Sequence, residues 1–96
     1  MTIEKIRKGS MLTLKIDGRI DSVTAQQLET VLHESLADVE DIIFDFEGVR
    51  YLSSAGLRVI LSVLHRQNSM KIIHVNDVVM EVFEITGFTD ILTIEQ

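Results

Sequence analysis

Short strand patterns alternate with amphipathic helix patterns along this chain, and this alternation constrains its fold more than any other feature. The predicted strands are 2–7, 11–17, 40–46, 71–75 and 91–94, and the predicted helices are 22–36, 55–67 and 78–86. Strands joined through helices pair in parallel, whereas the first two strands form an antiparallel hairpin at Gly9-Ser10. The dense Ile and Phe content of 40–46 predicts a strand covered on both faces. Asn76-Asp77 is predicted to cap the last helix, and Gly87 fits the position just after its end. The sequence therefore predicts an α/β fold, a mixed sheet of four or five strands with three or four helices in the order ββαβαβαβ.

The size and charge of the chain narrow its class. Its 96 residues suit a single domain, 1–96, and 46% of them are hydrophobic, so most of this material must be buried. There is no Cys, no signal-peptide pattern at the start, and no apolar run of the ~18–20 residues that a membrane-spanning helix needs. We therefore expect a cytoplasmic protein. A net charge of −6 disfavours binding to nucleic acid or an anionic membrane and favours a protein partner with a basic face.

The segment 53–57, Ser-Ser-Ala-Gly-Leu, lies where a predicted strand meets a predicted helix. A hydroxyl at such a junction can cap the helix, attack an electrophile or accept a phosphoryl group. Ser54 suits a helix cap, and Gly56 costs about 1 kcal/mol relative to Ala inside a helix. That cost indicates that a sheet element or a partner approaches the backbone closely. Capping by Ser54 and an exposed recognition site both remain open.

Catalytic and ligand-binding motifs do not accompany this serine. A nucleophile elbow needs glycine on both sides of the serine, and the leading glycine is missing. His65 lies roughly 16 Å from Ser54 along a helix that rises ~1.5 Å per residue, too far to act as its base. No metal-ligand spacing and no phosphate-binding glycine loop occurs, so we expect no metal and no cofactor. The chain is predicted not to be an enzyme, and His33, His65 and His74 are treated as surface or structural residues.

A second strand-to-helix junction carries Asp21, Ser22 and Thr24. Asp21 or Ser22 suits a helix cap. Loops that follow the carboxyl ends of parallel strands meet at one edge of a sheet, where such folds usually bind ligands. If the two strands before these junctions are neighbours, Asp21, Thr24 and Ser54 share one surface. Asp45 either supports the loop after its strand or occupies an edge position.

Two segments give the chain a family resemblance. They are Gly18 to Ala25 and Asp45 to Leu57, and the second ends in an aliphatic residue, Ser, Ser, Ala, Gly and Leu. Over essentially its whole length the chain resembles the anti-sigma factor antagonists, the small stand-alone STAS domains of bacteria. The resemblance implies that residues 1–96 form one STAS domain and that its function is regulatory.

The resemblance implies a phosphorylation switch. Unphosphorylated members bind an anti-sigma factor, typically also a serine kinase, and free its sigma factor. The kinase phosphorylates the serine that corresponds to Ser54, and a PP2C-type phosphatase resets the system. Many relatives carry Asp in place of Ser53 and a second hydroxyl in place of Ala55, and the second departure favours Ser54 as the acceptor. A phosphate there adds about −1.5 to −2 charge at a helix N-terminus, with Arg58 one helical turn away.

We expect phosphorylation to block the partner by charge and bulk, with the fold intact. An alternative is a STAS docking subunit of another complex, such as a lipid-transport or sensor assembly, whose loop is not phosphorylated. The residues expected to contact the partner are Asp21, Ser22, Thr24, Ser53, Ser54, Ala55, Gly56 and Arg58.

Overall fold

The computed structural model describes residues 1–66 and 69–96, and within them the predicted order of elements is confirmed. An unpredicted 3-10 helix, Phe88–Asp90, precedes the last strand. The strands are β1 Thr2–Lys8, β2 Met11–Ile20, β3 Asp41–Leu52, β4 Ser69–Ile73 and β5 Thr93–Ile94, and the α-helices are α1 Thr24–Ser35, α2 Ser54–Leu64 and α3 Asp77–Ile85.

The strands form one mixed sheet, as predicted, and their order in the sheet is β1-β2-β3-β4-β5. The hairpin strands β1 and β2 are antiparallel, and all other neighbours are parallel. Right-handed crossovers that always step to the next strand in the same direction place their helices on one face of the sheet. Burial along β2 agrees, because its even-numbered residues from Leu12 to Ile20 are buried whereas Lys15, Asp17 and Arg19 are exposed. The helices therefore cover one face only.

Strand β3 differs from its predicted form in two ways. It continues past Phe46 to Leu52, because β2 runs beside it as far as Ile20 and supplies hydrogen-bonding partners to the end. The prediction that both of its faces are covered is wrong. Ile43 lies on the face away from α1, α2 and α3 and is only half-buried, since none of the described helices packs there.

The core between the sheet and the helices contains a chain of aromatic rings. Phe46 lies 6.2 Å from Phe44 and 6.1 Å from Phe83, and Phe83 lies 6.0 Å from Phe88, measured between ring centroids. Such pairs contribute about 0.5–1.5 kcal/mol beyond the burial of their area. They join β3, α3 and the 3-10 helix, so α3 is anchored on the central strand.

The helix ends follow the predicted signals only in part. Asn76 caps α3 as predicted, because its Oδ1 accepts the Val79 N–H at 2.9 Å, and Gly87 follows that helix with φ +79. The predicted final residue of α2, Gln67, lies outside the described residues. Among the residues that the structure describes, none of the helices combines the length and apolar character needed to cross a bilayer.

Candidate partner-binding surface

The two strand-to-helix junctions lie side by side. Strands β2 and β3 are parallel neighbours with Ile20 opposite Leu52, and the Ser53 N–H donates to the Ile20 carbonyl at 2.8 Å. The condition set by the sequence, that the strands before the two junctions are neighbours, is therefore met. Ser22 from the first junction and Ala55 from the second line one groove of about 300 Å³.

Ser53 caps α2, so of the two readings left open for Ser54, the helix cap is wrong. Ser53 has an extended backbone, φ −88 and ψ 169, and its Oγ accepts the Gly56 N–H at 3.2 Å. Ser54 is the first helical residue, where the side chain does not turn back to the N–H groups of the first turn. Its hydroxyl is exposed and has no hydrogen-bonding partner among the described residues. Ser53 therefore caps the helix, and its neighbour Ser54 is the exposed serine.

Gly56 lies beneath this surface and not on it. A Cβ at this position would lie 2.6 Å from Cγ2 of Ile20 and 2.7 Å from Cδ1 of Leu52, both closer than real Cβ contacts allow. A sheet element therefore explains the glycine, and the buried Gly56 offers no side chain to a partner. Its function is to let α2 start directly on the ends of β2 and β3, which fixes the position of Ser54.

Asp21 caps α1, which confirms one of the two predicted readings. Its Oδ1 accepts the N–H groups of Val23 at 3.0 Å and Thr24 at 2.9 Å, and its carbonyl accepts the Ala25 N–H at 2.8 Å. The Thr24 hydroxyl in turn accepts the Asp21 N–H at 2.8 Å and donates to the Arg19 carbonyl at 2.6 Å. Both side chains are therefore engaged in positioning the junction, as in a capping box. The Thr24 N–H above all holds the pKa of Asp21 below its ordinary value.

Two exposed features next to the two junctions were missed by the sequence reasoning. Val23, beside Ser22, is 74% exposed, so an apolar side chain at the start of a helix faces solvent. The guanidinium of Arg19 stacks on the Tyr51 ring at 4.2 Å from its centroid. Only the register of β2 against β3 brings this pair together, so no local signal could predict it. The exposed Arg58 lines the groove at the same end of α2.

A third polar group, Asp45 with His74, lies on β3 and the loop after β4. Of the two alternatives predicted for Asp45, the edge position is wrong, because β3 is the central strand. Asp45 supports the segment after it, since its Oδ1 accepts the Glu47 N–H at 3.0 Å and lies 2.9 Å from Nδ1 of His74. Burial raises the pKa of Asp45, but the His74 and Glu47 hydrogen bonds outweigh it, so the pKa lies below its ordinary value.

The histidines have separate surroundings. His33 lines a groove between α1 and α2 with Ser62 and Arg66, and His74 is held by Asp45. The groove beside Ser54 has no histidine in its described lining. The described lining of this groove therefore supplies no imidazole base to the Ser54 hydroxyl.

Comparison with known proteins identifies the family. The sequence model of the STAS domain matches residues 2–96. The anti-sigma-B factor antagonist of Staphylococcus aureus is 30% identical over 101 residues, which cover 100% of this chain and 94% of the relative. The chain therefore belongs to the STAS domain family and is related to the anti-sigma factor antagonists, which confirms the resemblance seen in the sequence.

Solved structures share the fold. An anti-sigma factor antagonist from Mycobacterium paratuberculosis matches with a TM-score of 0.89 at 19% identity, over 98% of this chain and 84% of the other. The anti-sigma factor antagonist SpoIIAA in its unphosphorylated form matches with a TM-score of 0.85 at 15% identity, over 99% and 89%. SpoIIAA of Bacillus in the phosphorylated form gives 0.75 at 14% identity, over 99% and 92%.

Proposed function

We propose that this chain is an anti-sigma factor antagonist whose docking surface is switched by phosphorylation of Ser54. The observation that carries the proposal is the separation of two neighbouring hydroxyls. Ser53 is engaged in capping α2, whereas the Ser54 hydroxyl is exposed and has no partner among the described residues. A kinase can therefore reach Ser54 without disturbing the cap.

The docking surface consists of Ser22, Val23, Ser54, Ala55 and Arg58, supported from below by the capping residues. It combines an exposed valine with hydroxyls and one arginine beside a groove. An exposed apolar side chain next to polar groups suits a protein partner better than a small ligand. The net charge of −6 favours a partner with a basic face.

A phosphate on Ser54 acts at the surface and not through the fold. It adds about −1.5 to −2 charge at the N-terminus of α2, where the helix dipole stabilises anions. Arg58 follows Ser54 by one helical turn and is also exposed, so a phosphate requires no buried group to move. The added charge and bulk lie inside the docking surface and repel the partner while α2 stays folded.

Names of related proteins support the same proposal. The relative from Staphylococcus aureus is an anti-sigma-B factor antagonist, and SpoIIAA has been solved in unphosphorylated and phosphorylated forms. We extend these properties to this chain as part of the proposal. A serine kinase that is itself the anti-sigma factor, a PP2C-type phosphatase and a cytoplasmic location complete it.

The test is phosphorylation by a cognate serine kinase with ATP, read by intact mass. We expect one phosphate on the natural chain and on the Ser53→Ala and Ser10→Ala controls, and none on Ser54→Ala; Ser10 is an exposed serine outside the docking surface. The unphosphorylated chain should bind the anti-sigma factor, and the phosphorylated chain should not, with matching far-UV CD spectra and thermal melts. A phosphate that persists on Ser54→Ala, or a phosphorylated chain that melts markedly earlier, would contradict the proposal. Partner binding without any phosphorylation would favour the docking-subunit alternative.

A further inference from the structure

A group of three metal-ligating side chains lies apart from the docking surface. Donor atoms of Asp45, Glu47 and His74 all lie within 4.8 Å of one another. Asp45 and Glu47 come from β3, whereas His74 comes from the loop between β4 and α3. Because 29 positions separate Asp45 from His74, the sequence gives no ligand spacing for this group, and only the pairing of β3 with β4 assembles it.

The backbone of β3 and the backbone of the loop after β4 both turn these side chains toward each other. The register of β2 against β3 passes from Lys15 opposite Asp45 to Asp17 opposite Gly48, so β3 contains one extra residue between Asp45 and Gly48. Such bulges re-aim side chains next to functional sites. His74 has φ +59, a left-handed conformation that side-chain-bearing residues rarely adopt. This conformation directs the imidazole to Asp45 on the neighbouring strand.

The donor set favours a particular class of ion. An imidazole nitrogen with two carboxylates suits Zn²⁺ and similar divalent transition metals, whereas Ca²⁺ and Mg²⁺ prefer oxygen ligands throughout. The Asp45 side chain is only 13% exposed, and that of His74 is 52% exposed, so the ligands form a rigid base with an open side. A recess of about 510 Å³ lies on that open side, lined by Glu47, His74 and the acidic Asp77.

The present geometry is close to that of a metal site. Nδ1 of His74 and Oδ1 of Asp45 are 2.9 Å apart, joined by a hydrogen bond. With metal–ligand distances near 2.1 Å, two ligands of a tetrahedral Zn²⁺ ion are separated by about 3.4 Å. An ion can therefore replace the shared proton if these two side chains move apart by roughly half an ångström, which is within the freedom of the half-exposed imidazole.

We propose that Asp45, Glu47 and His74 bind one divalent transition metal ion, with water completing its coordination. The ion joins the bulge of β3 to the loop before α3, in place of the hydrogen bond that joins them without it. Binding therefore stabilises the folded chain, because the three ligands converge only when β3 and β4 are paired. This site is independent of the proposed phosphorylation of Ser54.

The test is calorimetric titration of the untagged, EDTA-treated chain with Zn²⁺, with Mg²⁺ as the oxygen-preferring comparison. We expect one Zn²⁺ per chain, no comparable binding of Mg²⁺, and a higher thermal midpoint with Zn²⁺. Glu47→Gln and His74→Gln alter exposed residues and leave the buried Asp45 in place, so both variants should fold. Each is expected to weaken Zn²⁺ binding by about tenfold or more.

The matched controls are His33→Gln and His65→Gln, which remove the other exposed histidines. Both should retain the affinity of the natural chain. Co²⁺ adds a spectroscopic check, since its visible absorption should appear with the natural chain and disappear in His74→Gln. The proposal is overturned if Zn²⁺ does not bind, if His74→Gln binds as tightly as the natural chain, or if the controls weaken binding equally.

Discussion

Replacing the two neighbouring serines one at a time should separate stability from phosphate acceptance. Ser53→Ala removes the Oγ that accepts the Gly56 N–H at 3.2 Å, and loss of a serine cap costs about 1 kcal/mol. For a domain of this size, 1 kcal/mol lowers the thermal midpoint by roughly 4–8 °C. Ser54→Ala removes an exposed hydroxyl with no partner in the described ranges, so we expect a change of less than about 0.5 kcal/mol.

The assay is urea unfolding followed by far-UV CD, with a thermal melt of each variant. Ser53→Asp is the matched control, because Asp is as good a cap as Ser and should restore the free energy of unfolding. The slope of the unfolding free energy against urea should be the same for all variants, since the folded surface is unchanged. Equal destabilisation by Ser54→Ala and Ser53→Ala, or no cost for Ser53→Ala, would refute the assignment of the cap.

Three further changes test other parts of the structure. Asn76→Ala should lower the free energy of unfolding in urea by about 2 kcal/mol, because Asn76 both caps α3 and donates to the Val49 carbonyl at 2.8 Å. Gly56→Val should cost about 3 kcal/mol in the same assay, since two buried side chains lie within 2.7 Å of a Cβ there. Burial raises the pKa of Asp45, but the hydrogen bonds from His74 and from the Glu47 N–H outweigh burial and hold this pKa below its ordinary value of 3.8. The ionised Asp45 therefore contributes stability above pH 3.8, and this contribution is lost as the pH falls through the pKa of the folded state. Thermal melts between pH 7 and pH 2 should show this loss, and Asp45→Asn should show a smaller dependence on pH over the acid range.

Local patterns predicted the elements of the fold well. Apolar residues at strand and helical spacing depend on near neighbours in the chain, so the order of strands and helices and the mixed sheet followed from them. Asn76 and Asp21 were among the predicted caps because a cap bonds to groups two or three residues away. The motif around Ser54 identified the family for the same reason, since its residues are consecutive.

The candidate site was predicted less completely because its details depend on tertiary contacts. The backbone angles at the end of β3 determine which of Ser53 and Ser54 caps α2. The residue type does not distinguish them, because serine is a favourable cap at either position. The sequence indicated that either a partner or a sheet element approaches the backbone at Gly56. Only the packing of Gly56 against Ile20 and Leu52 shows that it is the sheet.

The sequence by itself determined the family, the order of the elements and the serine-containing junction, because each is encoded in residues that are close along the chain. The tertiary structure alone decided which serine is exposed, why the glycine is required, and that Asp45 meets His74. These outcomes depend on strand pairing, which brings together residues as far apart as 29 positions. Contacts between such distant residues produce no pattern among neighbouring residues of the sequence.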